Sequence, residues 1–253
     1  MKLSIRHELI FDLGTPSRAL LHLLLTPLNT PQQKVQGWSI SMPGIKDAAS
    51  FRDGFGNRAQ LLTLSKPEGP IEIVVEGSVE TMDRAGVLGR LELDPVPALF
   101  KRVTAATKPD ETLTGSIKSS GDRIAMLHEL MGYVHRLAVG PAQAQTQGSQ
   151  RQSSSAEESD AADAFIGAAR ALGFAARHVT GYVLDESGGA FRGWAEVWED
   201  GLGWIGFDPL LDLCPAEGHV RVACGLDGPG CVPVRTVPAW TAPPDETVRV
   251  TAD

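Results

Sequence analysis

Few side chains in this sequence could carry out covalent chemistry, and most of them fall in its second half. Cys214, Cys224 and Cys231 are the three cysteines, all in the last quarter of the 253 residues. No two of them form a close Cys-x-x-Cys pair and only His219 is near, so the spacing matches no zinc pattern. An odd number of thiols without a signal peptide argues against a disulfide framework. Reduced thiols, buried or in loops, are the expectation. Cys214 sits in Leu-Asp-Leu-Cys-Pro, with no helix N-terminus to turn its thiol into a thiolate. Upstream lies an acidic run, with Glu158, Asp160 and Asp163 interleaved with Ser155 and Ser159. Ser155-Ala156-Glu157-Glu158 reads as a capping box, the Ser155 hydroxyl accepting from the Glu158 N–H and the Glu158 carboxylate reaching back. Asp160 and Asp163 then read as an acidic first turn favoured by the helix dipole. Trp194, Trp198 and Trp204 cluster on strand-like segments, where core and cleft wall suit them better than a platform for sugars.

The elements that must position these residues follow from periodicity. From Asp122, a plausible N-cap, Ile124, Leu127, Met131, Val134 and Ala138 recur at helical steps, and Gly140-Pro141 ends the run. Pro141 to Ser155 is a Gln/Ser-rich stretch expected to be an exposed mobile loop. A second helix follows, with Ala162, Phe165, Ile166, Ala169 and Leu172 as its apolar stripe and Gly173 at its end. Its many alanines predict a slim helix packed closely at the centre of its domain. Strands are then predicted over 177–184, 193–199 and 202–207, the last two joined by Asp200-Gly201. Earlier in the chain, Ile5, His7, Leu9 and Phe11, then Trp38, Ile40 and Met42, then Ile71, Ile73 and Val75 alternate with polar residues. That is the period of strands with one wet face. Asp53-Gly54-Phe55-Gly56-Asn57 is a turn between strands. Leu93-Asp94-Pro95-Val96-Pro97 breaks any regular element and marks a boundary. The fold class is α+β, with an N-terminal β-sandwich over 1–85, a linker over 86–109, and a second domain over 110–253 that ends in a C-terminal tail.

Composition excludes other classes. The apolar fraction of 42% is that of a globular protein. The net charge of −8 and the absence of a dense Lys/Arg run exclude nucleic acid as the expected partner. Ala19 to Leu25 is the longest apolar stretch, is interrupted by His22, and is far too short to span a bilayer. The start, with Arg6, His7 and Glu8 where a signal peptide needs an apolar core, reads as an unprocessed cytoplasmic N-terminus.

Several ordered segments together resemble the bacterial transglutaminase-like family, whose core has a papain-like α+β fold. ARALGFAARHVTGYVL (169–184) is similar to its helix end and first core strand, and GWAEVWEDGLGWIGFDP (193–209) to the next two strands. HVRVACG (219–225) with VPVR (232–235) is similar to its C-terminal segment. LLLTPLNTPQQKVQGWSISMPG (23–44) and DGFGN (53–57) resemble the β-sandwich that precedes the core in many members. The resemblance implies a triad of cysteine at the start of the central helix, histidine on a strand, and aspartate on the strand after it. Such a cysteine is activated by the helix N-terminus and an imidazolium, and attacks an acyl donor to give a thioester.

Here the family's residues are not all present. Counting back from Leu172-Gly173 places the cysteine position at Glu158 and a neighbouring aspartate at Asp160. Arg192, ahead of Gly193-Trp194-Ala195-Glu196-Val197, takes the histidine position, and Asp208 in Phe-Asp-Pro takes that of the triad aspartate. Arg192 and Asp208 lie sixteen positions apart, the family's own spacing, so no register slip hides a histidine. His178 stands where the family commonly has a tyrosine, and reads as a packed or surface histidine. The resemblance therefore implies a pseudoenzyme, binding or scaffolding an active paralogue or holding a peptide in the former cleft. The alternative is an active cysteine-type acyltransferase or amidohydrolase that uses a non-standard site. Glycoside hydrolysis by Glu158 and Asp208 is disfavoured because an arginine between them keeps both ionised. The same arginine opposes a metal on Glu158, Asp160, Asp163 and Asp208. No cofactor, metal or membrane is expected. The geometric expectation is that Arg192 lies between Glu158 and Asp208 and bonds at least Asp208.

Overall fold

The structure is a computed structural model that describes residues 1–115, 117, 121–140 and 155–253, without the side chains of 155–160. The predicted loop at 141–155 and the Ser155/Glu158 capping box lie outside the described residues. In chain order the strands of the first part are β1 (Lys2–Phe11), β2 (Arg18–Thr26), β3 (Gln33–Ser41), β4 (Ala49–Arg52), β5 (Arg58–Ser65) and β6 (Ile71–Thr81). They form two facing sheets. Alternation explains their faces: in β1 Leu3, Ile5, His7, Leu9 and Phe11 are buried while Lys2, Arg6 and Ile10 are exposed. Leu9, Phe11, Leu21, Leu23, Ile73 and Val75 fill the space between the sheets.

Then come β7 (Val87–Gly89), α1 (Glu111–Gly115), α2 (Arg123–Val139) and α3 (Ser155–Ala171). After them run β8 (Ala176–Val183), β9 (Ala190–Glu199), β10 (Gly203–Phe207), β11 (His219–Gly225), β12 (Val234–Val237) and β13 (Asp245–Ala252). The core sheet has the order β11-β8-β9-β10-β7. α2 starts as its N-cap predicts, with the Asp122 carboxylate accepting from the N–H groups of Ile124 and Ala125. α2 and α3 cover one face of this sheet, where Leu130, Phe165 and Ile166 meet Ala195, Val197 and Phe207. The slimness of α3 has a use, because a Cβ at Gly167 would come within 2.8 Å of the Thr107 carbonyl oxygen. No described helix is long and apolar enough to cross a membrane.

Two expected boundaries differ. The stretch 86–109 is not a free linker, since β7 forms the edge of the core sheet and Leu88 and Phe100 are buried. The Arg170 guanidinium holds it in place, donating to the Phe100 carbonyl at 2.9 Å and the Thr107 hydroxyl at 2.6 Å, as well as to the Ala176 and Leu226 carbonyls. Burial lowers the pKa of Arg170 to about 10. The C-terminal residues are not a tail of the core either. β12 pairs with β2 and β13 with β1, giving sandwich sheets ordered β12-β2-β5-β4 and β13-β1-β6-β3. The prolines of 93–97 and the long chain distance to β1 and β2 conceal both facts from local pattern reading.

Sandwich and core share a junction in which Leu3, Ile5 and Val79 pack on Tyr182, Phe191 and Val220. The outer edge of β11 is closed by side-chain amides rather than by a strand. Gln33 exchanges hydrogen bonds with the Arg221 main chain at 2.8 Å, and Asn57 with that of Cys224 at 2.7 and 2.8 Å. Both amides are buried, so each satisfies two main-chain groups that would otherwise be orphaned.

Candidate active site

Arg192 is near the start of β9, and Asp208 directly follows β10. β9 and β10 pair with Phe207 opposite Ala195, which carries Asp208 back alongside the start of β9. Arg192 is out of phase with Gly193 and Ala195, so its side chain leaves the sheet on the face away from the helices. There Nη1 donates to Asp208 Oδ1 at 3.0 Å and Nη2 to Oδ2 at 2.6 Å, a two-pronged ion pair. The side chains are 4% and 0% exposed.

Asp208 accepts more than this. His219 Nε2 donates to Oδ2 at 3.1 Å, and the N–H groups of Leu210 and Leu211 reach Oδ1 at 3.2 and 3.3 Å. Burial pushes this carboxyl up, but the His219 hydrogen bond and the charge and hydrogen bonds of Arg192 outweigh it and hold it below the usual carboxylate range. The Trp194 ring meets His219 edge-on, with centroids 5.4 Å apart, and closes one side of the cluster. Of the three positions drawn from the sequence, the structure brings Arg192 and Asp208 together. Glu158 falls in the first turn of α3, and its side chain lies outside the described residues. The further contact expected between Arg192 and Glu158 therefore lies outside them as well.

On the opposite face of the same sheet is a pair that the sequence reading did not anticipate. Asp163, in the middle of α3, is no first-turn dipole residue. Its Oδ1 accepts from His178 Nδ1 at 2.8 Å, and both its oxygens are 3.0 Å from the Gly228 N–H. Both residues are buried. A carboxylate oxygen accepts, so Nδ1 of His178 is the donor in this bond, and Nε2 has no hydrogen-bond partner among the described residues. The ring lies over Gly193, where a Cβ would come within 2.3 Å of Nε2. Any other residue at 193 would displace the imidazole. The pair lines a cavity of about 540 Å³, walled by Phe11, Phe191 and Trp240 and reaching Arg192 and Gly193. The one signal for it in the sequence is the antiparallel return of α3 into β8, which sets a helix residue over a strand residue. His219 had no local signal, because its partner comes from a different strand pair.

The thiols stand apart from both clusters. Cys214 is half-buried, and Cys224 and Cys231 are buried and unpaired. Burial pushes the Cys214 thiol up and that of Cys231 well up. Cys231 Sγ donates to the His178 carbonyl at 3.7 Å, which engages its main chain rather than its ring.

Residues 113–209 match the family model of the transglutaminase-like superfamily, and residues 3–80 that of the bacterial transglutaminase-like N-terminal region. Among solved structures, a candidate cysteine protease from Cytophaga hutchinsonii superposes with a TM-score of 0.70 at 20% identity, over 99% of this chain and 89% of that one. At that identity the likeness is one of fold. The periplasmic domain of TgpA from Pseudomonas aeruginosa gives a TM-score of 0.34 at 13% identity, over 83% of this chain and 88% of that one. No curated protein matches the chain.

Proposed function

Starting from a chain that belongs to the transglutaminase-like superfamily, we propose that it binds a protein partner and does not carry out thiol-dependent acyl transfer. The observation that carries this reading is the buried Arg192–Asp208 pair. A guanidinium keeps its proton at any physiological pH, so it cannot take a proton from a nucleophile or return one to a leaving group. Both of its outer nitrogens are committed to Asp208. By sequence register the nucleophile position holds Glu158, and burial moves the thiols of Cys214 and Cys231 away from the thiolate form. The partner in this reading is an active transglutaminase-like paralogue, or a peptide lying in the former cleft.

Two assays test it. The purified protein gives no amine incorporation, deamidation or peptide hydrolysis above background, and Glu158→Cys with Arg192→His does not by itself restore them. Affinity purification from the native host recovers an active paralogue or a cleft-bound peptide. Turnover by the unaltered protein that is lost on Cys214→Ala would overturn the proposal.

One observation favours a second reading, an acyltransferase or amidohydrolase with a non-standard site. His178, held by Asp163 through Nδ1, has no partner for Nε2 among the described residues and lines an apolar cavity, and this is the geometry of a general base. Hydrolysis abolished by His178→Ala but untouched by Cys214→Ala would select this reading over the first.

A further inference from the structure

A second concavity, a groove of about 850 Å³, runs between the sandwich and the core and is lined in part by Trp38, Arg52, Arg58, Arg90, Asp94 and Arg221. Neither Arg192 nor Asp208 lines it. In a protein of net charge −8, four arginines around one groove are a local reversal of sign. The carboxylates that line it are Glu92 and Asp94, and Asp94 is already engaged by Arg177 at 2.8 Å.

The arrangement of the arginines is costly as it stands. Arg52 and Arg58 are directly opposite each other on β4 and β5, both exposed. Like charges facing across an antiparallel pair destabilise it. Another facing pair, Arg6 and Arg249 on β1 and β13, is relieved by Glu8 and Glu76, both bonded to Arg6. Among the described residues, no carboxylate lies within ion-pair distance of Arg52, Arg58 or Arg90. Their hydrogen bonds are single and neutral: Arg52 to the Gly56 carbonyl, Arg58 to the Ser50 hydroxyl and Arg90 to the Asp200 carbonyl. Most of the donors of each guanidinium are left over. At the floor, Arg221 is 8% exposed, is held through Nε by Glu196 at 2.9 Å, and leaves Nη2 buried without a hydrogen-bond partner. A buried orphan donor is uncommon and calls for an acceptor.

We infer that this groove is a binding site for a small organic polyanion bearing at least two carboxylate or phosphate groups. One anionic group bridges Arg52 and Arg58 at the rim, and a second faces the floor at Arg221, while the Arg90 guanidinium stays over Trp198 at 5.1 Å. Guanidinium forks recognise both kinds of group by two parallel hydrogen bonds. The apolar part of the ligand lies against Trp38. The volume is that of an ordinary small-molecule site. This inference goes beyond the proposed function and does not depend on it.

Isothermal titration of the full chain with citrate and, separately, with inorganic pyrophosphate tests it, at constant ionic strength set with sodium chloride. The expected result is saturable binding of at least one probe with a Kd below about 1 mM. It weakens by at least about tenfold in Arg52→Ser/Arg58→Ser and by less than about twofold in Arg18→Ser/Arg249→Ser, an exposed pair elsewhere. Preference for citrate assigns carboxylate recognition and preference for pyrophosphate assigns phosphate recognition. Absence of saturable binding of either probe overturns the inference, and so does equal binding by the groove variant or equal weakening by the control.

Discussion

The two faces of the core sheet each bury an aspartate, and the partners make the two sites chemically opposite. On the face away from the helices, Asp208 meets a guanidinium, an imidazole N–H and two main-chain N–H groups. On the helix face, Asp163 meets an imidazole and one main-chain N–H but no guanidinium; among the described residues the second nitrogen of the imidazole has no partner in either cluster. The carboxylate is the same in both. The guanidinium makes the difference, holding one carboxylate in a two-pronged ion pair that the other lacks. In this chain the Arg192–Asp208 pair is closed by a two-pronged ion pair, and the Asp163–His178 pair is not.

The largest expected effect is at the closed site. Arg192→Ala removes the strongest partner of a carboxylate that is 0% exposed, and is expected to cost about 3 kcal/mol in urea denaturation. A loss under about 1 kcal/mol would mean that His219 and the loop N–H groups suffice to hold the charge. His178→Ala comes next, at about 2 kcal/mol, since Asp163 keeps the Gly228 N–H while a small cavity opens. If that variant loses more than Arg192→Ala, the ranking of the two faces is reversed.

Acid separates them further. The Asp208 carboxyl is held below its ordinary value in the folded protein, so the folded state binds its proton more weakly than the unfolded chain does. The stability it contributes is complete above the ordinary aspartate value, about 3.9, and is lost as pH falls from there through the depressed folded value. The expected slope is about 1.4 kcal/mol per pH unit for each proton taken up. Asp208→Asn should flatten it by about one proton, leaving the parts due to Glu196, between Arg177 and Arg221, and to Asp185 and Asp253, all depressed in the same sense. The smallest effect is expected at Cys214→Ala, less than about 1 kcal/mol. At neutral pH Cys214 should be labelled by a disulfide reagent more slowly than a free thiol, because burial disfavours its thiolate. Rapid labelling of a single cysteine would break the comparison by placing reactivity at a third location.

What could be read from the sequence follows from how local each feature is. α2 declared itself through the spacing of Leu127, Met131 and Val134 and the Asp122 cap, which are interactions within a few residues. β1 and β6 did so through alternation, because one face of each is wet. β8 has no wet face, since all eight of its residues are buried, and its period carries little information. β2 passed as an apolar stretch broken by His22, and β12 and β13 declared nothing of their partners, which lie near the other end of the chain. The site divides in the same way. Arg192 and Asp208 were marked by the resemblance of two consecutive strand segments to those of a known family. His219, Asp163 and the orphaned donor of Arg221 depend on contacts across the sheet or between the two domains, which no linear pattern records.

The pairing of β13 with β1 has a consequence for how the protein is made. Ser4 and Asp253 are hydrogen-bonded across 249 positions of chain. A nascent polypeptide therefore carries β1 with one edge open until residues 245–252 have been translated, so a strand made early is completed late. The equilibrium penalty of so long a closure grows only logarithmically, but the waiting time is real, and an open edge invites pairing with another chain. The exposed side of β1 suits that wait: Lys2, Arg6 and Glu8 place charge along the strand, where a neighbouring unfinished chain would have to desolvate it.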